Sequence, residues 1–67
     1  TQMSFSIRGG QITISDSNDM IDSGSYQLSG DTLRFKNYTF VLDRPNYCIR
    51  MNKDIVFKPA GYYYIVD

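Results

Sequence analysis

A chain of 67 residues makes one domain and buries only about 60% of the surface it exposes when unfolded, so its margin of stability is thin. It carries one cysteine, no histidine and no glutamate, which excludes an internal disulfide, a Cys/His zinc site and every His-based catalytic arrangement. Seven basic and seven acidic side chains cancel, removing any overall pull towards nucleic acid or anionic membrane.

Charge is nevertheless uneven. Residues 1–31 carry four Asp against Arg8, and residues 32–67 carry six cations against three Asp, so the halves are about −3 and +3. Six Tyr and four Phe supply unusual core-forming area for this length. No stretch approaches the roughly 20 apolar residues of a membrane span, and no signal-peptide pattern is seen. Thr1 fits either removal of an initiator Met or the cut end of a secreted or longer chain. The unpaired Cys48 favours a reducing, cytoplasmic compartment.

Period-two alternation begins at once: Met3, Phe5 and Ile7 share one face and Ser4, Ser6 and Arg8 the other, the pattern of a half-buried strand. Gly9-Gly10 supplies the positive φ angles of a tight hairpin leading into residues 11–15. Residues 16–23 break the alternation and are rich in side chains that bond to their own backbone. They read as the longest loop, with Met20 and Ile21 tucked inward. Residues 24–29 and 32–36 form a second hairpin around Gly30-Asp31, with Tyr26, Leu28, Leu33 and Phe35 inward and Gln27, Arg34 and Lys36 outward.

After a reversal at Asn37, Tyr38, Phe40 and Leu42 continue the inner face. Residues 47–51, 54–58 and 62–66 complete eight short strands separated by tight turns. Consecutive tight turns give antiparallel neighbours, so the expected fold is all-β: a single-domain antiparallel meander over residues 1–67, closed into a small barrel or folded into a two-layer sandwich.

The seven Asp sit mostly at turns, where turn chemistry accounts for them, and with His and Glu both missing the chain reads as non-enzymatic. The segment Asp16 to Asp22 has clustered oxygens, but Met20 stands where a calcium ligand is needed, and no metal or other cofactor is implied. Arg34, Lys36, Arg50 and Lys58 share the outward phase of neighbouring strands. As a single-strand nucleic-acid platform they would lack stacking rings, because Phe35, Tyr38 and Phe40 point inward. Asn37-Tyr38-Thr39 matches the glycosylation sequon without independent evidence of secretion. Cys48 falls on the outward phase two residues from Arg50, a cation able to lower its pKa, but a plain half-buried thiol is the reading preferred.

Tyr62-Tyr63-Tyr64 is explained least by folding alone, since consecutive strand residues face opposite ways. If Tyr62, Tyr64 and Val66 fill the core, Tyr63 and Ile65 form an exposed apolar pair, joined by Val56 and Val41 on neighbouring strands. Tyr is enriched at binding hot spots.

The second hairpin, Gly24-Ser25-Tyr26-Gln27-Leu28-Ser29-Gly30-Asp31-Thr32-Leu33-Arg34-Phe35, resembles the repeated Gly-x-Tyr-x-apolar-x-Gly-Asp-x-Leu-x-apolar hairpin of small bacterial lipocalin-like domains. That resemblance implies a barrel and a small apolar ligand. A closed barrel of this length is expected to be filled by its own side chains.

The sequence therefore points first to a non-catalytic protein-binding module of inhibitor or adaptor type, acting through Tyr63, Ile65, Val56, Arg34 and Arg50 on another protein or a second copy of itself. A lipocalin-like ligand binder and a structural subunit of a homo-oligomer are the alternatives. Native mass spectrometry with sedimentation separates the three by retained ligand, co-purifying partner or self-association. Circular dichroism should show β structure with almost no helix; a helical fraction above about one fifth would defeat the strand reading.

Overall fold

The computed structural model describes residues 3–17 and 19–61. These residues form eight strands: β1 (Met3–Arg8), β2 (Gln11–Asp16), β3 (Asp19–Ser25), β4 (Gln27–Ser29), β5 (Thr32–Phe35), β6 (Tyr38–Asp43), β7 (Cys48–Arg50) and β8 (Val56–Pro59), with a 3-10 turn at Arg44–Asn46. Their spatial order is β3-β2-β1-β8-β7-β6-β5-β4. Two antiparallel meanders, β1 to β3 and β4 to β8, are joined where β1 runs parallel to β8, with Ser4 opposite Lys58 and Phe5 opposite Pro59. Only Tyr26 separates β3 from β4, so the two ends of the strand order are contiguous in the chain and the sheet curls into a nearly closed barrel.

Turn chemistry sets the hairpins. Gly9 and Gly10 both take positive φ (58° and 78°) between the paired residues Arg8 and Gln11, and Gly30 (60°) opens the loop between Ser29 and Thr32. The side-chain oxygen of Asn52 accepts hydrogen bonds from the backbone N–H groups of Asp54 (2.8 Å) and Ile55 (3.0 Å), an Asx turn linking β7 to β8.

Lys36 takes a positive φ of 51°, where a side chain is disfavoured, and so belongs to the β5–β6 turn instead of extending the strand. Its ammonium lies 2.6 Å from Asp22 Oδ1 on β3, a clasp across the seam between the two meanders. Gly24 belongs to the same seam: a Cβ there would come within 3.3 Å of Lys36 Cε and 3.6 Å of the Phe35 ring.

The inner face follows the alternation. Phe5, Ile12, Ile14, Leu33, Phe35, Phe40, Leu42, Ile49 and Phe57 are buried, with Met3, Ile7, Tyr26, Leu28 and Tyr38 packed partly buried against them. Pairing across strands places Leu33 beside Phe40, and Leu42, Ile49 and Phe57 in one inner row. The rings of Phe35 and Tyr38 stack at 4.9 Å between centroids, and Phe57 meets Phe40 edge-on at 5.4 Å, so aromatic side chains occupy the interior.

Four expectations need correction. Residues 16–23 are not the longest loop, because the chain turns between the paired residues Asp16 and Asp19 and continues as β3: the ladder to β2 outweighs the weak strand propensity of Asp and Ser. Met20 and Ile21 are not tucked inward; they are 65% and 45% exposed. The cause is a bulge. Ile14 pairs with Asp22 but Ser15 pairs with Met20, leaving Ile21 as the extra residue and moving Met20 to the outer phase. Residues 24–29 are two strands bent at Tyr26, not one. One strand pair is parallel within the otherwise antiparallel sheet. Residues 62–66, read as the final strand, lie outside the described residues.

Replacing Phe40, fully buried among three other rings, by Ala should lower stability by about 3–5 kcal/mol. Val41→Ala, one residue on and more than half exposed, should cost no more than about 0.5 kcal/mol. A lower urea midpoint for Val41→Ala than for Phe40→Ala would show the inner and outer phases to be reversed.

Candidate functional site

The outer face of β5 to β8 is ordered by the register that sets the core. Thr32, Val41, Arg50 and Val56 stand directly opposite one another on successive strands, forming a row across the sheet. Val41 is 54% exposed at its middle, although its neighbours Phe40 and Leu42 are buried. Arg34 stands two residues beyond Thr32 on β5, and Lys58 two residues beyond Val56 on β8; antiparallel order puts these two exposed cations on opposite sides of the row.

The structure thus brings together Arg34, Arg50 and Val56 of the residues expected at a binding surface. Tyr63 and Ile65 lie outside the described residues. Arg34 also lines two depressions running to the β4 edge, one of about 350 Å³ with Ser25, Tyr26 and Gln27, the other of about 180 Å³ with Gln27, Ser29 and Thr32. Sequence reasoning passed over these polar neighbours, although the hairpin register around Gly30 already places Gln27 opposite Arg34.

The cations of this face are not equivalent. Lys36 is committed to Asp22, and Arg50 Nε donates to Asp43 Oδ2 at 3.0 Å, its position fixed by an acid that is itself held. Asn46 Nδ2 donates to both Asp43 oxygens, at 3.1 and 2.9 Å. These Asn46 hydrogen bonds, and then the Arg50 guanidinium, hold the Asp43 carboxyl below the usual carboxylate range. Arg34 and Lys58 have no ion pair among the described residues and so remain available to a partner's carboxylates.

Cys48 shares the phase of Arg50 yet is buried (3% exposed), which corrects the expectation of an outward, partly accessible thiol. Burial pushes its pKa up, more than Arg50 lowers it. Elsewhere on the barrel, the bulge at Ile21 leaves Asp19, Met20 and Ile21 exposed along β3, the strand at one end of the sheet order. Among the described residues, no helix is long and apolar enough to cross a membrane.

Comparison with family models, curated proteins and solved structures finds no match to this chain.

A carboxyl whose folded pKa is depressed contributes stability above its unfolded pKa, and that contribution is lost as pH falls through the folded value. Asp43→Asn should therefore be less stable than the parent chain near neutrality, with the deficit shrinking to nothing as pH drops below the ordinary carboxylate range. Denaturant midpoints measured across pH check this. A deficit that persists undiminished in acid would mean that shape, not charge, makes Asp43 matter.

Proposed function

We propose that this domain is a non-catalytic protein-binding module whose contact surface is the outer face of β5 to β8, centred on Val41 and bordered by Arg34, Arg50 and Val56. The observation that carries this reading is the exposed valine in a register row with Val56, on a sheet whose opposite face already supplies the core. An apolar centre ringed by polar and charged groups is the arrangement of a contact patch, in which the centre supplies most of the energy and the rim excludes water and sets specificity.

Arg50 suits this role because Asp43, itself held by Asn46, fixes its guanidinium in place, so little side-chain freedom is lost on binding. The sequence supports the absence of catalysis, since neither His nor Glu is available for proton transfer. Tyr63 and Ile65 are included in this reading through alternation alone, as additional apolar area.

A photo-crosslinking amino acid in place of Val41, with a second version carrying it at exposed Arg8 as control, tests the assignment in the cells that make the protein. Position 41 should give a discrete adduct with another polypeptide chain, and position 8 should not. No adduct at 41, or the same adducts from both positions, would overturn the reading.

A further inference from the structure

We infer that the occupant of the outer face of β5 to β8 is the β3 edge of a second copy of the same chain, docked head to tail. This rests on the proposed contact face and names its partner. Each surface lacks what the other carries. The face offers exposed Val41 with Arg34 and Lys58, two cations without an ion pair among the described residues. The edge offers exposed Met20 and Ile21 beside Asp19, an exposed acid likewise without an ion pair among the described residues. Opposite charge around apolar centres gives both attraction and register.

The rest of β3 is already occupied, because Asp22 is held by Lys36 and Gly24 lies against Lys36 and Phe35. The available part is therefore the Asp19 to Ile21 end. Like surfaces do not suit one another: two edges would bring Asp19 against Asp19, and two faces would set Arg34 and Lys58 against themselves. Nor can edge and face meet within one molecule. Round the order β3-β2-β1-β8-β7-β6-β5-β4, β6 with Val41 at the centre of the face is five strands from β3 in one direction and, because β3 continues into β4, three in the other. At least three strands separate them either way.

The contact is heterologous, so each copy presents one unused edge and one unused face, and assembly continues beyond a dimer. A three-residue edge buries less than a standard interface of about 800 Å² per partner, which places the association among the small, transient contacts and calls for a test at high protein concentration.

Sedimentation equilibrium of the whole chain up to about 1 mM, at low and high salt, should show a mass rising past the dimer with concentration and falling with salt. Two variants with substitutions at exposed positions separate the surfaces: Asp19→Lys with Met20→Ser removes the edge, and Arg34→Glu with Val41→Ser removes the face. With circular dichroism confirming the fold, each alone should associate at least tenfold more weakly. Mixed in equal amounts, they should form a one-to-one complex that grows no further, because each retains the surface the other has lost. If the face variant does not fold, Arg34→Gln with Val41→Thr replaces it in the same mixing test.

A parent chain monomeric at every concentration overturns the inference, as does an edge variant that assembles like the parent or a mixture that forms no complex. In any of these cases a crosslink from position 41 to a different protein would leave the protein-binding reading intact. Failure of that crosslink as well would remove both.

Discussion

The contact on which the rest of the molecule depends is the parallel pairing of β1 with β8. Two meanders of three and five strands each have an inner face too small to exclude water, and it is the meeting of Phe5 with Pro59, extended by the hydrogen bond from Ala60 N–H to the Phe5 carbonyl at 2.8 Å, that joins them into one sheet. Once the sheet is joined, the inner faces oppose one another and Phe5 and Phe57 become part of a single buried cluster. A chain with no disulfide and no Cys/His metal site has few other ways to enclose a core. The outer row of Thr32, Val41, Arg50 and Val56 is a by-product of the same geometry. Fixing which side chains point in also fixes which stand together outside.

Most of this was legible in the alternation. Phe5, Ile12, Ile14, Leu33, Phe35, Phe40 and Leu42 are buried on the phase that a period of two assigns them, because a strand with one dry face cannot slip by one residue without exposing its whole apolar set. The hairpins at Gly9-Gly10 and Gly30-Asp31 were legible for a different reason: positive φ is inexpensive for glycine and unfavourable for most other residues. The binding face was legible in part. Arg34, Arg50 and Val56 are outward by phase, but the alignment of Arg50 and Val56 in one row with Val41, and the place of Arg34 beside that row, need the register between strands, which turn lengths specify and single-strand patterns do not.

What was not legible has physical causes of its own. A bulge is a count of two residues against one across a ladder, and nothing within residues 19–25 announces it, so Met20 and Ile21 were assigned to the wrong side. Lys36 takes a glycine-like φ as the first residue of the two-residue turn between the paired residues Phe35 and Tyr38, a position whose sequence carries no glycine to announce it, and its side chain then reaches Asp22 on the other meander. Cys48 is outward by phase and still buried, since the outer side of a strand in a small curved sheet is open only where nothing else covers it. The bulge is a matter of pairing between strands: local pattern states a preference, and the register with a neighbouring strand overrides it.

The separation in sequence of the closing pair also shapes how the molecule forms. Ser4 and Lys58 are 54 residues apart, whereas the other pairs of the ladder join strands adjacent in the chain. Hairpins close in microseconds, but loop entropy must be spent before a contact of this span gives anything back. The two meanders therefore have a rapid, local route to their own strands and no such route to each other, and by sequence separation the docking of β1 on β8 is the pairing expected to form last. Until it occurs, the β1 rim and the β8 rim are both unpaired strand edges beside apolar faces, and it is in that interval, more than in the finished barrel, that the chain is exposed to aggregation.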